Sequence, residues 1–491
     1  MADSRRASIR KIRDVGDMRR VVAYQTQLIY FLLSILGALL FTYLLSSPDF
    51  TQAQNYVLFL LFFSVGLWVT EAIPPFAVGI LIVGFLVFFL GSISPESAVE
   101  EGGLDVMKFV STWSNSVIWL ILGGFFLAEG MRKTGVDADV FRFTLTKIGA
   151  TPARILLSVM LSTALASMLM SNTATTAMML AATAPIITTY GAKHPFGKAV
   201  LLGIPIAAAV GGMGTIIGSP PNAIAVEALN TMNALPFEVG FLEWMIVGFP
   251  VALLLTLILW RLLLRKFPTD DLQIDLAALT ATAKPEHTTT FDEIEQRIRK
   301  RIVVITLLVT LVLWLTGRVH GIPPAAVSGI PIIVFTMVSI ITGDDVRQLP
   351  WDTLMLVAGG LSLGLAIQET ELSAYFVTQI QFLPIADSLI IGVFALMTVV
   401  FSNIMSNTAS ATILIPIAAL WPGLHPAILP LVIGLSASCA LFLPVSTPPN
   451  AIVFSTGLVK QEDFRFGGVV VGLLGPVLVI GWVLLMMWWW T

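Results

Sequence analysis

Two clusters of small polar residues, the Ser-Asn-Thr sequences at 171–173 and 406–408, lie at the centres of long apolar segments. A further serine precedes each cluster by four residues, at Ser167 and Ser402, so that on a helix both hydroxyls would share one face. Hydroxyl, amide and carbonyl oxygens suit a hard cation such as sodium, and polar groups at membrane depth are costly. The clusters therefore predict cation binding, and serine contacts between packed helices are the structural alternative.

Two other motifs, GSPPN at 218–222 and STPPN at 446–450, interrupt further apolar stretches. Proline removes a backbone donor and clashes with the preceding turn, so each helix is expected to break there. The half-helix that follows is expected to present free N–H groups and a positive dipole end to an anion. None of the four motifs contains Lys or Arg. The composition thus predicts an anion held by helix ends, hydroxyls and co-bound cations, with a simple structural kink as the alternative.

The elements that position these residues are predicted from composition and hydropathy. The chain has 491 residues, of which 56% are hydrophobic and 12% charged, and apolar runs recur along its whole length. This pattern indicates an all-α polytopic membrane protein. A single cysteine, Cys439, excludes an intrachain disulfide and a multi-cysteine metal site. About eleven transmembrane helices are predicted, near 25–45, 55–73, 74–92, 114–131, 198–230, 241–263, 302–319, 322–342, 352–370, 426–459 and 467–490.

Two more apolar segments, 152–190 and 385–420, carry the Ser-Asn-Thr clusters at their centres. Each half of such a segment has about 16–18 residues, or roughly 25 Å of helix, which is less than a hydrocarbon core of about 30 Å. Both segments are therefore interpreted as re-entrant hairpins. Their non-helical tips require a covering of protein or a water-filled cavity.

Charge distribution predicts the orientation. With the N-terminus in the cytoplasm, all but two of the 27 Lys and Arg residues fall in cytoplasmic segments, and Lys108 and Arg318 are the exceptions. Residues 1–24 are predicted to be a cytoplasmic tail and 266–300 a cytoplasmic linker with a surface helix. Residues 136–150 are expected to form an amphipathic helix along the inner face, or an ordinary loop. The C-terminus is placed outside.

The second half of the chain repeats the first at four places in the same order. The matches are EAIPPFAVG with HGIPPAAVS, LILGGFFL with LVAGGLSL, SMLMSNTATT with SNIMSNTASA, and GSPPNAIAV with STPPNAIVF, at offsets of 249, 236, 235 and 228. Each repeat contains five spans, so the second copy enters the membrane from the opposite side. Inverted repeats with broken segments at matching positions predict a transporter with a midplane site. The predicted repeats are 55–265, with hairpin 152–190 and broken helix 198–230, and 301–491, with hairpin 385–420 and broken helix 426–459.

The paired Ser-Asn-Thr clusters, together with GSPPNAI and PVSTPPNAIVF at 444–454, resemble the divalent anion/sodium symporters, which carry di- and tricarboxylates. The resemblance covers roughly residues 50–490. It implies a homodimer in which each protomer has a scaffold domain and a transport domain that moves like an elevator. It also implies that Ser167, Ser171, Asn172 and Gly218 surround one sodium ion, and that Ser402, Asn407 and Ser446 surround a second. The implied contacts to the substrate carboxylates are Asn172, Thr173, Ser219, Ser406, Asn407, Thr408 and Thr447.

The resulting expectation is a sodium-coupled importer of C4-dicarboxylates such as succinate, malate or fumarate, in the lipid bilayer of a bacterial inner membrane. A dicarboxylate exchanger, or a citrate or sulfate transporter of the same fold, is the alternative. An intramembrane serine hydrolase would need a base at membrane depth, where the sequence places no His or Lys, and the HExxH motif is absent. The chain is therefore expected to have no enzyme activity and no nucleic-acid partner, and a channel is disfavoured because the predicted half-sites suit alternating access.

Overall fold

The computed structural model describes residues 25–91, 105–148, 151–190, 194–268, 290–372, 374–375, 386–418, 421 and 423–490. Within these ranges all regular structure is helical. Eight of the described helices are long and apolar enough to cross a membrane, and five shorter apolar helices accompany them. The predicted all-α membrane fold is confirmed, and the number of about eleven spans stays a prediction. The predicted tail at 1–24 and most of the linker lie outside the described residues.

The described helices belong to two compact units. The first unit comprises Met1–Thr112 and Ala358–Phe376. Its helices are α1 (Gln25–Leu45), α2 (Gln52–Thr70), α3 (Pro75–Gly91) and α4 (Met107–Ser111). A capping box starts α2, because Thr51 Oγ1 accepts the Gln54 N–H at 3.2 Å and Gln54 Oε1 accepts the Thr51 N–H at 2.9 Å.

The second unit comprises Trp113–Val357 and Val377–Thr491, and it contains every predicted site residue. Its helices up to residue 266 are α5 (Ser116–Thr134), α6 (Val136–Ile148), α7 (Pro152–Ser167), α8 (Asn172–Tyr190), α9 (Pro195–Gly211), α10 (Pro220–Thr231) and α11 (Phe241–Lys266). The later helices are α12 (Thr290–Leu315), α13 (Gly317–His320), α14 (Pro324–Met337), α15 (Gly343–Arg347), α16 (Trp351–Glu369, which continues into the first unit), α17 (Asp387–Ile404), α18 (Asn407–Ala418), α19 (Ile428–Ser436), α20 (Pro448–Ser455) and α21 (Gln461–Trp490).

Each Ser-Asn-Thr cluster lies at a reversal between two packed helices. α7 packs against α8, and α17 packs against α18, so each pair forms a helical hairpin with its tip at the cluster. α7 has 16 residues and α18 has 12, which is short for a span. α17 has 18 residues and by length and composition alone could cross a membrane. The re-entrant interpretation of both hairpins therefore remains a prediction.

Each PPN motif starts the second half of an interrupted helix. α9 ends at Gly211, a 3₁₀ turn covers Gly212–Gly214, and α10 begins at Pro220. α19 ends at Ser436, a 3₁₀ turn covers Ala437–Cys439, and α20 begins at Pro448. The hairpin of each half packs against the interrupted helix of the other half, because α8 contacts α20 and α18 contacts α10. Hairpins and interrupted helices are therefore interlocked within one unit.

The structure differs from the expectation at the charged run FDEIEQRIRKR. The sequence predicts this run within the 266–300 linker, which includes a surface helix. In the structure the run is continuous with the following apolar helix, α12. Nothing between Thr290 and Leu315 is a helix breaker, and the ion pairs Glu293–Arg297 and Glu295–Arg299 support the helix at i, i+4 spacing. The linker therefore ends earlier than the sequence suggested.

The helix expected within 136–150 is observed as α6. It follows Gly135, whose φ of 68° lies in the left-handed region that favours glycine and ends α5. Asp137 and Asp139 occupy its first turn, where they complement the helix dipole. α6 packs against α7 and so connects α5 to the first hairpin.

Candidate functional site

The tip of the first hairpin brings several predicted cation ligands together. Ser167, the last residue of α7, is fully buried, and its hydroxyl lies 2.5 Å from Asn172 Oδ1 and 2.7 Å from the Ala208 carbonyl oxygen. A serine hydroxyl has one proton, so it can donate to only one of these two acceptors. Two oxygen acceptors therefore compete for one hydroxyl proton, which leaves an oxygen available to a cation.

Two glycines allow further oxygens to approach this tip. A Cβ added to Gly212 would lie 2.7 Å from Asn172 Oδ1 and 2.9 Å from the Gly218 carbonyl oxygen. A Cβ added to Gly218 would lie 2.6 Å from the Gly212 carbonyl oxygen and 3.0 Å from the Ser167 carbonyl oxygen. Oxygens of four residues therefore surround a space that any larger side chain would fill. Neutral oxygens in a compact set fit a hard monovalent cation.

Ser171, also predicted as a ligand, has a local role as well. Its hydroxyl accepts the Ala174 N–H at 3.2 Å, and its carbonyl accepts the Thr175 N–H at 3.0 Å, so it caps α8. Ser406 does the same for α18, accepting the Ala409 N–H at 3.1 Å. These two serines fix where the second arm of each hairpin begins.

The second tip has the same residue types, but fewer of their polar atoms have hydrogen-bond partners among the described residues. Ser402 is fully buried in the last turn of α17, and neither its hydroxyl nor Asn407 Oδ1 has a hydrogen-bond partner among the described residues. The hydroxyl of Ser446 instead donates to the Leu443 carbonyl oxygen at 2.8 Å, within the non-helical segment that precedes α20. Buried polar atoms usually find partners, so unpaired oxygens at this tip indicate a group that the protein itself does not supply.

The side chain of the asparagine in each PPN motif donates to backbone carbonyls of the segment that interrupts the helix ahead of it. Asn222 Nδ2 donates to the Gly212 carbonyl at 2.8 Å and the Thr215 carbonyl at 2.7 Å. Asn450 Nδ2 donates to the Leu441 carbonyl at 3.2 Å and the Leu443 carbonyl at 3.0 Å. Both side chains are fully buried, and both Oδ1 atoms lack partners in the described part of the chain. These two asparagines are not among the site residues predicted from the sequence, although their repetition at equivalent positions is a signal for them.

The expected anion donors at the broken helices are wrong in detail. Pro220 and Pro221 occupy the first turn of α10 and have no N–H, and the Asn222 N–H bonds the Ser219 carbonyl at 3.0 Å. α20 begins in the same way, with Thr447 Oγ1 accepting the Asn450 N–H at 3.4 Å. The prolines that break each helix therefore also remove two backbone donors from its first turn.

The hairpin tips offer donors instead. The first N–H groups of a helix have no intrahelical acceptor, and α8 and α18 begin at Asn172 and Asn407. The serine caps bond later N–H groups, which leaves the backbone donors of Asn172 and Thr173 free for an anion within the described structure. Thr408 follows Asn407 at the equivalent position. Predicted cation and anion contacts therefore meet at the start of the same two helices.

Most of the predicted cation ligands are buried, whereas most of the predicted carboxylate contacts are at least partly exposed. Ser167, Gly218, Ser402 and Ser446 of the cation set are buried. Thr173 and Ser406 of the carboxylate set are exposed, and Thr408 and the two tip asparagines are partly exposed. Ser219 and Thr447 depart from this pattern because both are buried at the helix breaks. The tips thus expose the residues proposed for the anion and bury most of those proposed for the cations.

A cavity of about 250 Å³ lies behind the first tip. Asp137 is the one ionisable residue among those that line it, and burial raises the pKa of its carboxyl group above the ordinary value. The lining residues are Met131, Asp137, Val140, Leu165, Ala166, Met168, Leu169, Thr215, Phe241, Met245, Phe249, Leu311 and Leu315. They come from α5, α6, α7, α11, α12 and the first break, so the cavity separates the first hairpin from α5 and α12.

Two solved transporter structures superpose on this chain. The chain superposes on the YdaH transporter of Alcanivorax borkumensis with a TM-score of 0.56 and 12% identity, covering 84% of this chain and 98% of that one. It superposes on MtrF of Neisseria gonorrhoeae, described among antimetabolite efflux pumps, with a TM-score of 0.53 and 14% identity, covering 84% and 94%. At these identities the likeness concerns the fold alone.

Relatives found by sequence have a higher identity to this chain than these two structures do. The chain is 30% identical over 482 residues to the sodium-dependent dicarboxylate transporter SdcS of Staphylococcus aureus strain USA300, covering 91% of this chain and 89% of the relative. A protein of the same name from Staphylococcus saprophyticus is 30% identical over 484 residues with the same coverage. Residues 25–491 match the family described as the sodium:sulfate symporter transmembrane region. The resemblance found in the motifs is therefore confirmed, and the chain belongs to the sodium:sulfate symporter family of membrane transporters.

Proposed function

We propose that this protein is a secondary active transporter that imports C4-dicarboxylates such as succinate, malate and fumarate together with sodium ions. The observation that carries the proposal is the pair of hairpin tips, where buried neutral oxygens lie beside the free ends of α8 and α18. None of the four site motifs contains Lys or Arg. A dianion bound there needs co-bound cations to offset its charge. The names of the SdcS relatives support sodium and dicarboxylates as the two substrates.

In this mechanism sodium binds first and orders the site. One ion is held by oxygens of Ser167, Ser171, Asn172 and Gly218, and another by Ser402, Asn407 and Ser446. The positive charge of both ions, with the first N–H groups of α8 and α18, then attracts the substrate carboxylates. The substrate contacts are Asn172, Thr173, Ser219, Ser406, Asn407, Thr408 and Thr447. Without sodium, the surplus of oxygen acceptors repels a dianion, so the two substrates are obligatorily coupled.

Movement is proposed to follow an elevator mechanism in a homodimer. The hairpins and interrupted helices of the second unit are interlocked, which suits a body that moves as a whole. α5, α12 and α14 pack closely with one another. The largely apolar cavity lies between the first hairpin and two of these helices, α5 and α12. An apolar, incompletely filled boundary resists sliding less than an interdigitated one. The homodimer and the inverted arrangement of the repeats rest on the motif resemblance and the repeat pattern.

The test is uptake of labelled succinate by purified protein in liposomes. An inward sodium gradient is expected to drive accumulation above the external concentration, and the same gradient of choline is not. Uptake that is indifferent to the imposed sodium gradient would reject sodium coupling. Counterflow of succinate in sodium-free buffer would instead support the exchanger.

A second candidate substrate is sulfate, because the family description names it. Citrate is a third, since the tips contain no feature that excludes a further carboxylate. Unlabelled sulfate, citrate and malate should be compared as competitors of labelled succinate at equal concentrations. We expect malate to compete most strongly, and stronger inhibition by sulfate or citrate would reassign the substrate while leaving the sodium sites in place.

A further inference from the structure

The second half of the unit contains buried hydroxyl groups that have no hydrogen-bond partner among the described residues. Buried Ser and Thr side chains in helices usually donate to the carbonyl four residues earlier, as Thr256 does to Ala252 at 2.7 Å and Thr398 to Phe394 at 2.6 Å. Ser436 and Ser438 have no exposed surface, and neither hydroxyl has a partner within the residues that the structure describes. Because an unpaired buried hydroxyl is unfavourable, these two serines require an explanation.

Their position places them beside the second hairpin tip. Ser436 is the last residue of α19, and Ser438 lies in the 3₁₀ turn that follows it. α17 and α18, which meet at the tip, both pack against α19 and against this turn. Ser402 and Asn407, the unpaired residues of the tip, belong to α17 and α18. Together with Thr412 of α18, five residues with unpaired buried oxygens therefore belong to one junction of packed helices.

The first repeat lacks these two hydroxyls. At the offset of 228 that relates the two PPN motifs, Ser436 corresponds to Ala208 and Ser438 to Val210. In the first repeat the Ala208 carbonyl oxygen accepts from Ser167, the counterpart of Ser402. Ser402 makes no such bond in the second repeat, as far as the described residues extend. The two half-sites therefore differ in their number of uncommitted oxygens, and the second has more.

We propose that Ser436 and Ser438 belong to the cation site of the second repeat and that their hydroxyl oxygens bind sodium together with Ser402 and Asn407. The chemistry is that of a monovalent cation, because all four groups are neutral, whereas calcium and magnesium sites normally include carboxylates. In the described residues no group of acidic, histidine or cysteine side chains forms a metal site. The inference rests on the proposed sodium coupling and deepens it, since it makes the second site the larger of the two.

The test compares S436A and S438A with wild type. Thermal unfolding of the purified full-length proteins is followed while sodium chloride replaces choline chloride at constant ionic strength. We expect each substitution to raise the sodium concentration that gives half of the full stabilisation by about five- to tenfold, because a tenfold change corresponds to about 1.4 kcal/mol of binding. Without sodium, both variants should melt at the wild-type temperature or above it, since each loses an unpaired buried hydroxyl.

The matched control is S328A. Ser328 is also fully buried, but it lies in α14 and donates to the Pro324 carbonyl at 2.9 Å. Its removal should lower the melting temperature equally at every sodium concentration and leave the half-effect concentration unchanged. This is the signature of a packing role, and the same signature in S436A and S438A would overturn the inference.

The outcomes separate the inference from the function on which it rests. A wild-type protein whose stability ignores sodium would reject the proposed cation sites altogether. A wild-type protein that responds to sodium, with S436A and S438A responding identically, would reject only the role of these serines. The sodium dependence of succinate uptake in liposomes provides a second measurement, and it should shift in the same direction by a similar factor.

Discussion

Asn172 and Asn407 occupy the same place in the two hairpins but have different surroundings. Asn172 Oδ1 lies next to the Ser167 hydroxyl, whereas Asn407 Oδ1 has no partner among the described residues. Each asparagine is also the first residue of a helix, so its side-chain oxygen and its backbone N–H serve opposite charges. One residue type can therefore join a cation site to an anion site.

Replacing Asn172 or Asn407 by Ala is expected to reduce sodium-driven succinate uptake by at least about tenfold, because a factor of ten needs only about 1.4 kcal/mol of lost binding. Expression and folding should be retained, since both side chains are partly exposed and not part of the hydrophobic core. The measurement is initial uptake rate in liposomes at equal protein content.

Asn230→Ala is the control for this prediction. Asn230 Oδ1 accepts the Val239 N–H at 2.8 Å and its Nδ2 donates to the Val239 carbonyl at 3.2 Å, so it fixes a loop and not the tips. Its variant should lose about 1 kcal/mol of stability and keep its uptake. Wild-type transport by either tip variant would show that the tip in question does not form the site.

At the scale of elements, the first hairpin and the first interrupted helix meet through small residues. α7 packs against α9, and a Cβ on Gly211 would lie 2.5 Å from both the Cα and the carbonyl oxygen of Ala164. The atoms in the way are backbone, which cannot rotate aside. Gly203, earlier in α9, faces the flexible side chain of Met160 at 3.2 Å from its added Cβ. The same helix thus contains one glycine that is sterically required and one that is not.

Gly211→Ala is expected to separate α7 from α9 and to cost about 1–3 kcal/mol of stability, the usual range for overpacking. Transport should fall with it, because Ser167 and Gly212 are held by the same contact. Gly203→Ala should be nearly neutral, since the added methyl group is accommodated by Met160 and alanine favours the helix. Thermal unfolding and uptake of the pair test this, and equal stability of the two variants would contradict the steric argument.

At the scale of the whole molecule, the two exceptions to the charge rule are compensated. Lys108 forms an ion pair with Glu369 at 2.9 Å, and Arg318 pairs with the buried Glu243 at 2.5 Å. Arg318 also lies over the Phe237 ring, 4.7 Å from its centroid. Acidic residues contribute little to the positive-inside rule, so the orientation rests on the asymmetry of the 27 Lys and Arg residues as a whole. That asymmetry predicts a cytoplasmic N-terminus, with these two residues as its exceptions.

Single-cysteine labelling of intact cells tests the predicted orientation. Thr491→Cys is expected to react with a membrane-impermeant maleimide added outside, and Ser4→Cys is expected to react only after the membrane is permeabilised. The wild type should remain unlabelled, because its single cysteine, Cys439, is fully buried. Labelling of position 4 in intact cells would reverse the topology, and with it the direction assigned to each hairpin.

The sequence alone determined the fold class, the family and the position of both tips. Long apolar runs leave the backbone no partner but itself, so helices follow from composition. The Ser-Asn-Thr and PPN motifs stand out because polar groups and prolines are costly in apolar segments. Such motifs can be recognised from the sequence because the energetic cost comes from the residue type itself and not from its neighbours in the fold.

Only the tertiary structure decided which atoms of those motifs are available. Proline at the start of α10 and α20 removes two of the backbone donors expected in each first turn, whereas the first N–H groups of α8 and α18 remain available within the described residues. Whether a buried polar group has a hydrogen-bond partner depends on residues far apart in the chain. The structure was therefore needed to identify Asn222, Asn450, Ser436 and Ser438. Sequence spacing predicts that a polar group is buried, but only packed coordinates determine whether it already has a partner.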